Sequence, residues 1–194
     1  MNAMLLSGPA LEPVALLDAK AHLRVDHDED DALISAAIVS ARLHVEAATR
    51  RVLIAQGWRV GLDRWPRKRI LRLPAAPLIS VDAVRIRDAE GGLTTLDAAD
   101  YEVDAVSVPG RLAVAATAPA PATRMTNAIE IDVTAGYGAT SLAVPSPLRH
   151  AIMMLVTHWY EHRGPAGHDQ AGDTAPQGYA ALIAPYRVLS LCAG

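Results

Sequence analysis

The stretch that most constrains the fold is residues 145–163, with the sequence PSPLRHAIMMLVTHWYEHR. Ser146 is a predicted helix cap, and Pro147 would take the first helical position, where a missing N–H costs nothing. Gly164 and Pro165 would end the helix. Its apolar residues form two rows: Leu148, Ile152, Leu155 and Trp159, then Met153, Val156 and Tyr160 with Met154 beside them. A helix that is apolar around most of its girth is either buried centrally or shared with another molecule.

The spacing of apolar residues changes along the chain. It predicts a short helix over 16–23 and a long one over 29–50, whose polar face would be Ser35, Arg42, Glu46 and Arg50. From residue 56 to 135 the period becomes two, which predicts strands at 56–63, 70–73, 79–87, 93–96, 101–104, 107–108, 111–114 and 129–134. A last short helix is expected near 177–184. Helices, then strands, then helices indicate an α+β fold with short antiparallel strands between two helical regions.

The composition is that of a folded protein: 51% of the residues are hydrophobic and 20% are charged. The net charge of -3 argues against a large nucleic-acid footprint. The single cysteine, Cys192, cannot form an intrachain disulfide. We see neither a secretory signal nor an apolar run long enough for a bilayer span, so a soluble, intracellular protein without a membrane partner is expected.

One motif could carry metal chemistry. His158, Glu161 and His162 spell H-x-x-E-H, in which two histidines four residues apart share a zinc ion and the glutamate acts as a base. A zinc-dependent hydrolase is therefore the alternative function. However, the chain after His162 contains no glutamate for the third ligand. Cationic groups such as His162 and Arg163 are also common near a helix C-terminus, because they interact favourably with the helix dipole. We therefore predict no catalytic residue, no metal site and no cofactor.

Two charged clusters have opposite sign. The acidic run Asp26–Asp31 imitates the start of a calcium loop, but Asp31 and Ala37 stand where that loop needs Gly and Glu. Acidic residues at the start of the long helix, with Asp28 as its cap, are the simpler interpretation. The basic cluster Arg64–Arg72 holds Trp65 and could touch phosphates, so a small DNA-binding module is a third alternative. A solvated hairpin loop, or a loop that meets an acidic neighbour, is the interpretation that we prefer for this pattern.

A set of short motifs, in this order along the chain, resembles a known family. The matching pieces are PV at 13–14, DAKAHLRV at 18–25, DDALI at 30–34, LRLP at 71–74 with PL at 77–78, TAGYG at 134–138, the helix 145–163 with its HWYE, and ALIAPYR at 181–187. In this set the chain resembles the head–tail connector (adaptor) proteins of long-tailed phages. The resemblance is strongest to the branch found in proteobacterial prophages and gene transfer agents.

The resemblance implies a structural role and no enzymatic activity. Proteins of this family form an oligomeric ring, usually of twelve copies, beneath the portal. The ring extends the DNA channel, binds the portal, and links the head to the stopper (head-completion) protein and the tail. Double-stranded DNA only passes through. The implied location is the head–tail junction of a virion or phage-like particle, with assembly in the host cytoplasm. The implied division is a leader (1–12), one connector domain (13–163), and a hinge with a C-terminal arm (164–194).

Two surfaces follow as hypotheses. A ring needs head-to-tail contacts between different faces of neighbouring copies. We expect the ring interface to include Asp28 and Asp30 opposite Arg67, Lys68 and Arg69, together with Met153, Val156 and Tyr160. The C-terminal arm is too apolar for a free end, and we expect it to bind the portal. Its candidate residues are Tyr179, Leu182, Ile183, Tyr186, Arg187, Leu189 and Leu191.

Overall fold

The computed structural model describes residues 1–88, 90–121, 126–162 and 175–188. The helices are α1 (Leu16–Leu23), α2 (Asp31–Thr49), α3 (Ser146–Glu161) and α4 (Tyr179–Ile183). Short 3-10 helices cover Ala98–Asp100, Ser141–Ala143 and Ala184–Tyr186. The strands are β1 (Asn2–Ser7), β2 (Gln56–Leu62), β3 (Ile70–Arg72), β4 (Leu78–Arg87), β5 (Leu93–Thr95), β6 (Tyr101–Asp104), β7 (Arg111–Val114) and β8 (Ile129–Ala135). Helices and antiparallel sheets in this order confirm the α+β prediction.

The chain divides into two compact units. One contains residues 1–10 and 55–138, and the other contains residues 11–54 and the chain from 139 onward. We call them the sheet unit and the helical unit. The predicted division into a leader, one connector domain and an arm is a different one and stays a prediction.

The sheet unit holds two antiparallel sheets. The larger has the strand order β1-β2-β8-β4-β5, and the smaller has the order β3-β7-β6. β8 is the centre of the larger sheet, and Ile131 lies between Val60 of β2 and Val84 of β4, all three fully buried. The alternation expected of strands therefore places one apolar face of this sheet in the core.

The helical unit is built on α2 and α3, which pack against each other, while α1 and α4 pack against both. Four residues of α2 and five of α3 are buried apolar side chains. They are Ile34, Ile38, Ala41 and Val45 on α2, and Leu148, Ala151, Ile152, Leu155 and Val156 on α3. The first apolar row predicted for α3 is thus its core-facing row, with Trp159 at its half-buried end.

Three local predictions were wrong. Residues 2–7 form β1, where no strand was expected. The expected strand at 107–108 is part of a turn, because the Asp104 carboxylate accepts hydrogen bonds from the backbone N–H groups of Val106 and Ser107. Helix α3 begins at Ser146 itself, after Pro145, so Ser146 is a helical residue and not the cap.

Candidate interaction surfaces

The H-x-x-E-H motif lies at the end of α3 without forming a metal centre. The rings of His158 and His162 lie 4.4 Å apart between centroids, and Nδ1 of His162 is 2.7 Å from the carbonyl oxygen of His158. Glu161 is exposed. Within the described residues, no three His, Cys, Asp or Glu side chains are grouped closely enough to hold a metal ion. The run Asp26–Asp31, which resembles the start of a calcium loop, likewise forms no such group of metal-binding side chains within the described residues.

The acidic run makes its contacts inside the helical unit. Lys20 of α1 donates hydrogen bonds to Asp28 and Asp31, each at 2.6 Å. The bond to Asp28 raises the pKa of Lys20 and lowers that of Asp28. Asp28 is therefore an ion-pair partner and not the helix cap, and the residue before α2, Asp30, forms no side-chain cap either. The Asp28 side chain is nevertheless 90% exposed, so it also presents negative charge to solvent.

The basic cluster is a tight turn held by its two ends. The backbone N–H of Arg69 donates to the carbonyl of Pro66 at 2.8 Å, which places Arg67 and Lys68 at the exposed centre of the turn. The Arg69 side chain donates to the carbonyls of Ala115 and Ala118, at 3.0 and 3.2 Å. Trp65 likewise donates to the carbonyl of Pro119 at 3.2 Å. Arg69 and Trp65 thus anchor the loop, while Arg67 and Lys68 form its exposed charge.

The second apolar row of α3 has three different environments. Val156 is buried, 1% exposed, and forms part of the chain's own core. Met153 is half-buried. The Tyr160 hydroxyl donates to the Asp30 carboxylate at 2.5 Å, which ties the end of α3 to the start of α2. Of the three, Met153 and Tyr160 are half-buried and keep some surface for another molecule, and Tyr160 also has its bond to Asp30.

The C-terminal arm lies against the helical unit as far as residue 188. Tyr179 and Ile183 are buried, 3% and 0% exposed, and burial raises the pKa of the Tyr179 hydroxyl. The backbone N–H of Val188 donates to the carbonyl of Thr49, and Arg51 donates to the carbonyl of Tyr186. Leu182 and Tyr186 are half-buried and Arg187 is exposed. Leu189, Leu191 and all of the predicted hinge (164–175) except Ala175 lie outside the described residues.

A large uncharged surface on α2 was not predicted as a site. The exposed residues of this helix are Ala32, Leu33, Ala36, Val39, Ser40, Leu43, His44 and Ala47. We call them the uncharged face of α2. Leu33 and Leu43 are 45% and 53% exposed. By length and composition alone α2 resembles a membrane span, with a mean hydropathy of 1.2, because it is apolar on a buried face and again on this exposed one. The absence of charge from the face was the signal in the sequence that could have found it.

Arg42 was predicted to face water, and this was wrong. Its side chain is 8% exposed and donates to Glu12 at 2.7 Å and to Glu46 at 2.9 Å. Glu46 also accepts a hydrogen bond from the backbone N–H of Leu53. Burial opposes the charge of Arg42, but the hydrogen bond to Glu12 and the attraction of Glu46 outweigh it and raise the pKa of Arg42.

The polar face of the larger sheet carries a network of ion pairs. Asp132 of β8 lies between Arg59 of β2 and Arg85 of β4, with a 2.6 Å contact to each. Glu130 of the same strand contacts Arg87 at 2.7 Å and Arg59 at 3.2 Å. The hydrogen bonds from Arg59 hold the pKa of Asp132 below its usual range. These ion pairs stabilise the sheet, because three arginines surround two carboxylates that are each 9% exposed, and the network keeps one net positive charge.

Comparisons with known proteins agree with the sequence motifs. A family model described as phage gp6-like head–tail connector protein matches residues 14–91. A chain in the neck of an empty gene transfer agent (GTA) particle, computed with C6 symmetry, superposes with a TM-score of 0.82 and 28% identity, covering 100% of this chain and 99% of that one. These findings confirm the resemblance. The chain is a structural head–tail connector.

Two further structures support this connector assignment over the full length of the chain. A chain in the virion of a native GTA particle has a TM-score of 0.82 and 27% identity, covering 100% of this chain and 99% of that one. A chain in the neck of a native GTA particle computed with C12 symmetry has a TM-score of 0.74 and 29% identity, with 98% of each chain covered. No curated protein matches the connector. Neither these matches nor the residues that the structure describes support the zinc hydrolase.

Proposed function

We propose that the connector forms a ring of twelve copies beneath the portal of a phage-like particle. There the ring would extend the DNA channel and link the head to the stopper and tail. The proposal depends on one observation above all: the full-length similarity is to chains of GTA particles, two of them in necks computed with rotational symmetry. A protein of this kind acts by holding its neighbours in place, so we infer that it catalyses no reaction.

The uncharged face of α2 is the surface that we assign to the contact between copies. Leu33, Ala36, Ser40, Leu43 and Ala47 are spaced alternately by three and four residues, the spacing at which one helix packs along another. Three of these five side chains are small, and small side chains at a contact allow two helices to approach closely. A second copy is the natural occupant, because an exposed helix face without charge gains little from water and gains from burial.

Charge supports a second part of the same interface. Arg67 and Lys68 are exposed at the centre of their turn, and Asp28 is exposed on the helical unit. We propose that these opposite charges meet across neighbouring copies, with Met153 contributing its free surface. Asp30, Tyr160, Val156 and Arg69 have partners or burial within their own chain, so in this proposal they support the interface from behind.

We further propose that the portal is bound by the end of the C-terminal arm. Tyr179 and Ile183 are buried in the helical unit and anchor the arm, which leaves Arg187 and the residues that follow as the contact. The charge of the connector suits a channel wall for DNA. A protein of net charge -3 offers few phosphate contacts, and such contacts would retard the passage of DNA.

The test is assembly with the portal protein of the same particle. Electron microscopy of the mixture should show a ring of connector copies on the portal, and native mass spectrometry should count twelve. Monomeric connector in the presence of excess portal would refute the proposal. Mixing with duplex DNA in low salt tests the remaining alternative, a DNA-binding module, for which tight salt-dependent binding would be required.

Two variants locate the interface. Leu43→Glu places a charge in the middle of the uncharged face of α2 and should give a folded connector whose ring yield is strongly reduced. The matched control is Ala99→Glu, which adds the same charge at another exposed position and should assemble normally. Reversing the two exposed charges, Arg67→Glu with Lys68→Glu, should weaken assembly at low salt and have less effect at high salt. Normal rings from Leu43→Glu would exclude α2 from the interface.

A further inference from the structure

The larger sheet ends in two strands whose outer edges are open. β1 and β5 are the first and last strands in the order β1-β2-β8-β4-β5. In the described part of the chain, no backbone hydrogen bond reaches the outer edge of either strand. Unpaired N–H and C=O groups in a row form a template for another strand, so proteins usually protect such edges.

Neither edge is protected by a charge or a proline, although β5 is short, which by itself limits the length of its open edge. β1 has the sequence NAMLLS, without a charge or a proline, and all six residues are exposed. β5 is Leu-Thr-Thr, also uncharged and exposed. The one irregularity in β1 is a register shift between Leu5 and Ser7, at its end, which leaves the rest of the edge straight. The six-residue edge of β1, without a charge or a proline, is the edge that most needs cover, and the uncharged edge of β5 offers it a partner.

The two edges also match in direction. Four antiparallel pairings separate β1 from β5, so these strands run the same way. Rotation about a ring axis preserves the direction of a strand along that axis. A sheet that continues from one copy into the next therefore places β5 beside the neighbouring β1 as a parallel pair.

The side chains at the two edges match as well. Met4 is paired with Arg59, and Leu93 is paired with Arg87. Both arginines contact Glu130, so Met4 and Leu93 lie on the same, charged face of the sheet. Met4 is 55% exposed and Leu93 is 46% exposed. These two apolar side chains stand at opposite edges of a polar face, and each would cover the other if the edges of two copies met.

We propose that β1 of one copy pairs with β5 of the next, so that the five-stranded sheets join into one continuous sheet around the ring. The pairing is heterologous, as a ring requires, because each copy contributes a different edge to each of its two neighbours. Pairing of β1 with a second β1 would instead create a twofold contact that closes at two copies. The inference rests on the proposed ring, and it adds the sheet edges as a contact separate from the α2 face.

Cross-linking in assembled rings tests the pairing. In a Cys192→Ala background, Met4→Cys is combined with Leu93→Cys, and the rings formed on the portal are treated with a thiol-to-thiol cross-linker of about one strand spacing, roughly 5 Å. The expected result is a ladder of covalent oligomers on a denaturing gel. Because the register of a new pair can shift by two residues, Asn2→Cys and Thr95→Cys on the same face complete the set of four pairs.

Controls separate the possible outcomes. Met4→Cys alone should give no ladder, and dimers from this variant would overturn the proposal in favour of β1–β1 pairing. Met4→Cys with Asp18→Cys, an exposed position on α1, should also remain monomeric on the gel. Rings seen by electron microscopy whose four edge pairs all fail to cross-link would overturn the sheet pairing and leave the proposed function intact. If the unsubstituted connector forms no ring on the portal, the proposed function fails, and the pairing fails with it.

Discussion

Replacing Arg42 should destabilise the helical unit far more than a typical substitution on a helix surface. Arg42→Met retains the aliphatic stem and removes the guanidinium, so it isolates the two charged hydrogen bonds to Glu12 and Glu46. The side chains of Arg42, Glu46 and Glu12 are 8%, 14% and 27% exposed. Of the two carboxylates that lose their partner, Glu46 is the more buried and is therefore destabilised more. It keeps its hydrogen bond from the backbone N–H of Leu53 but loses the neighbouring positive charge.

The size of the effect can be bounded. Breaking a fully buried ion pair by removing one partner costs about 3–5 kcal/mol. Glu12 can recover water at its partly exposed oxygens, so we expect Arg42→Met to lower the free energy of unfolding by about 2–3 kcal/mol, near the range of charged hydrogen bonds. In a double-mutant cycle with Glu12→Gln, the coupling energy should be about 1–2 kcal/mol.

Urea denaturation followed by circular dichroism at 222 nm measures this change. The matched control is Arg50→Met at the exposed end of α2. Residue 50 has a backbone φ of 55°, and this strain is the same for Arg and for Met. Arg50→Met should therefore change the free energy of unfolding by no more than about 0.5 kcal/mol. If Arg42→Met behaves like this control, the ion-pair cluster contributes no net stability and the reasoning from burial is refuted.

Three further predictions concern other parts of the chain. Asp132→Asn should cost about 2 kcal/mol at pH 7, because Asp132 accepts charged hydrogen bonds from Arg59 and Arg85. Folding lowers the pKa of Asp132, so this stabilisation is complete at pH values above the unfolded-state pKa of 3.8 and is lost as the pH falls through the folded-state pKa. Urea denaturation of the unsubstituted protein and of Asp132→Asn at several pH values would detect this loss. Gly110→Ala should cost about 1–3 kcal/mol, because a Cβ there would lie 2.6 Å from the Cβ of Leu78; a melting temperature equal to that of the unsubstituted protein would contradict this. Removing residues 178–194 should destabilise the helical unit by at least about 3 kcal/mol through the loss of Tyr179 and Ile183, whereas removing 189–194 should retain this packing and abolish portal binding, as a pull-down would measure.

The strands and helices were predictable wherever the apolar period was regular. The predicted bounds of β6 and β7 equal the observed ones. The predicted α2 starts two residues earlier and ends one residue later than the observed helix. β1 was missed because NAMLLS has no alternation of apolar and polar residues, and its partner lies more than 50 residues away. The false strand at 107–108 has a local cause, since the Asp104 side chain offers the backbone a turn in place of a ladder.

The surfaces were less predictable than the fold, because burial depends on partners that are distant in sequence. Helical periodicity placed Arg42 toward water, and only Glu12, 30 residues earlier, explains why it is buried. The same limit applied to the arm, where Tyr179 and Ile183 were assigned to a portal contact from apolarity alone. Apolarity predicts that a side chain is covered, but it cannot tell whether its own chain or another molecule covers it.

The two candidate contacts between copies lie on different units, so neighbouring copies in the proposed ring would be joined at two separate places. The uncharged face of α2 belongs to the helical unit, and the open edges of β1 and β5 belong to the sheet unit. Each contact alone is limited: one consists of a helix line with two leucines, two alanines and a serine, and the other of one short strand beside another. In a closed ring every copy makes both contacts with both neighbours, so a loss of 1.4 kcal/mol at one contact lowers each association constant about tenfold. A portal that gathers the copies raises their effective concentration, which is how weak contacts suffice. Leu43→Glu and a blocked β1 edge should therefore each reduce ring yield, and together they should abolish it.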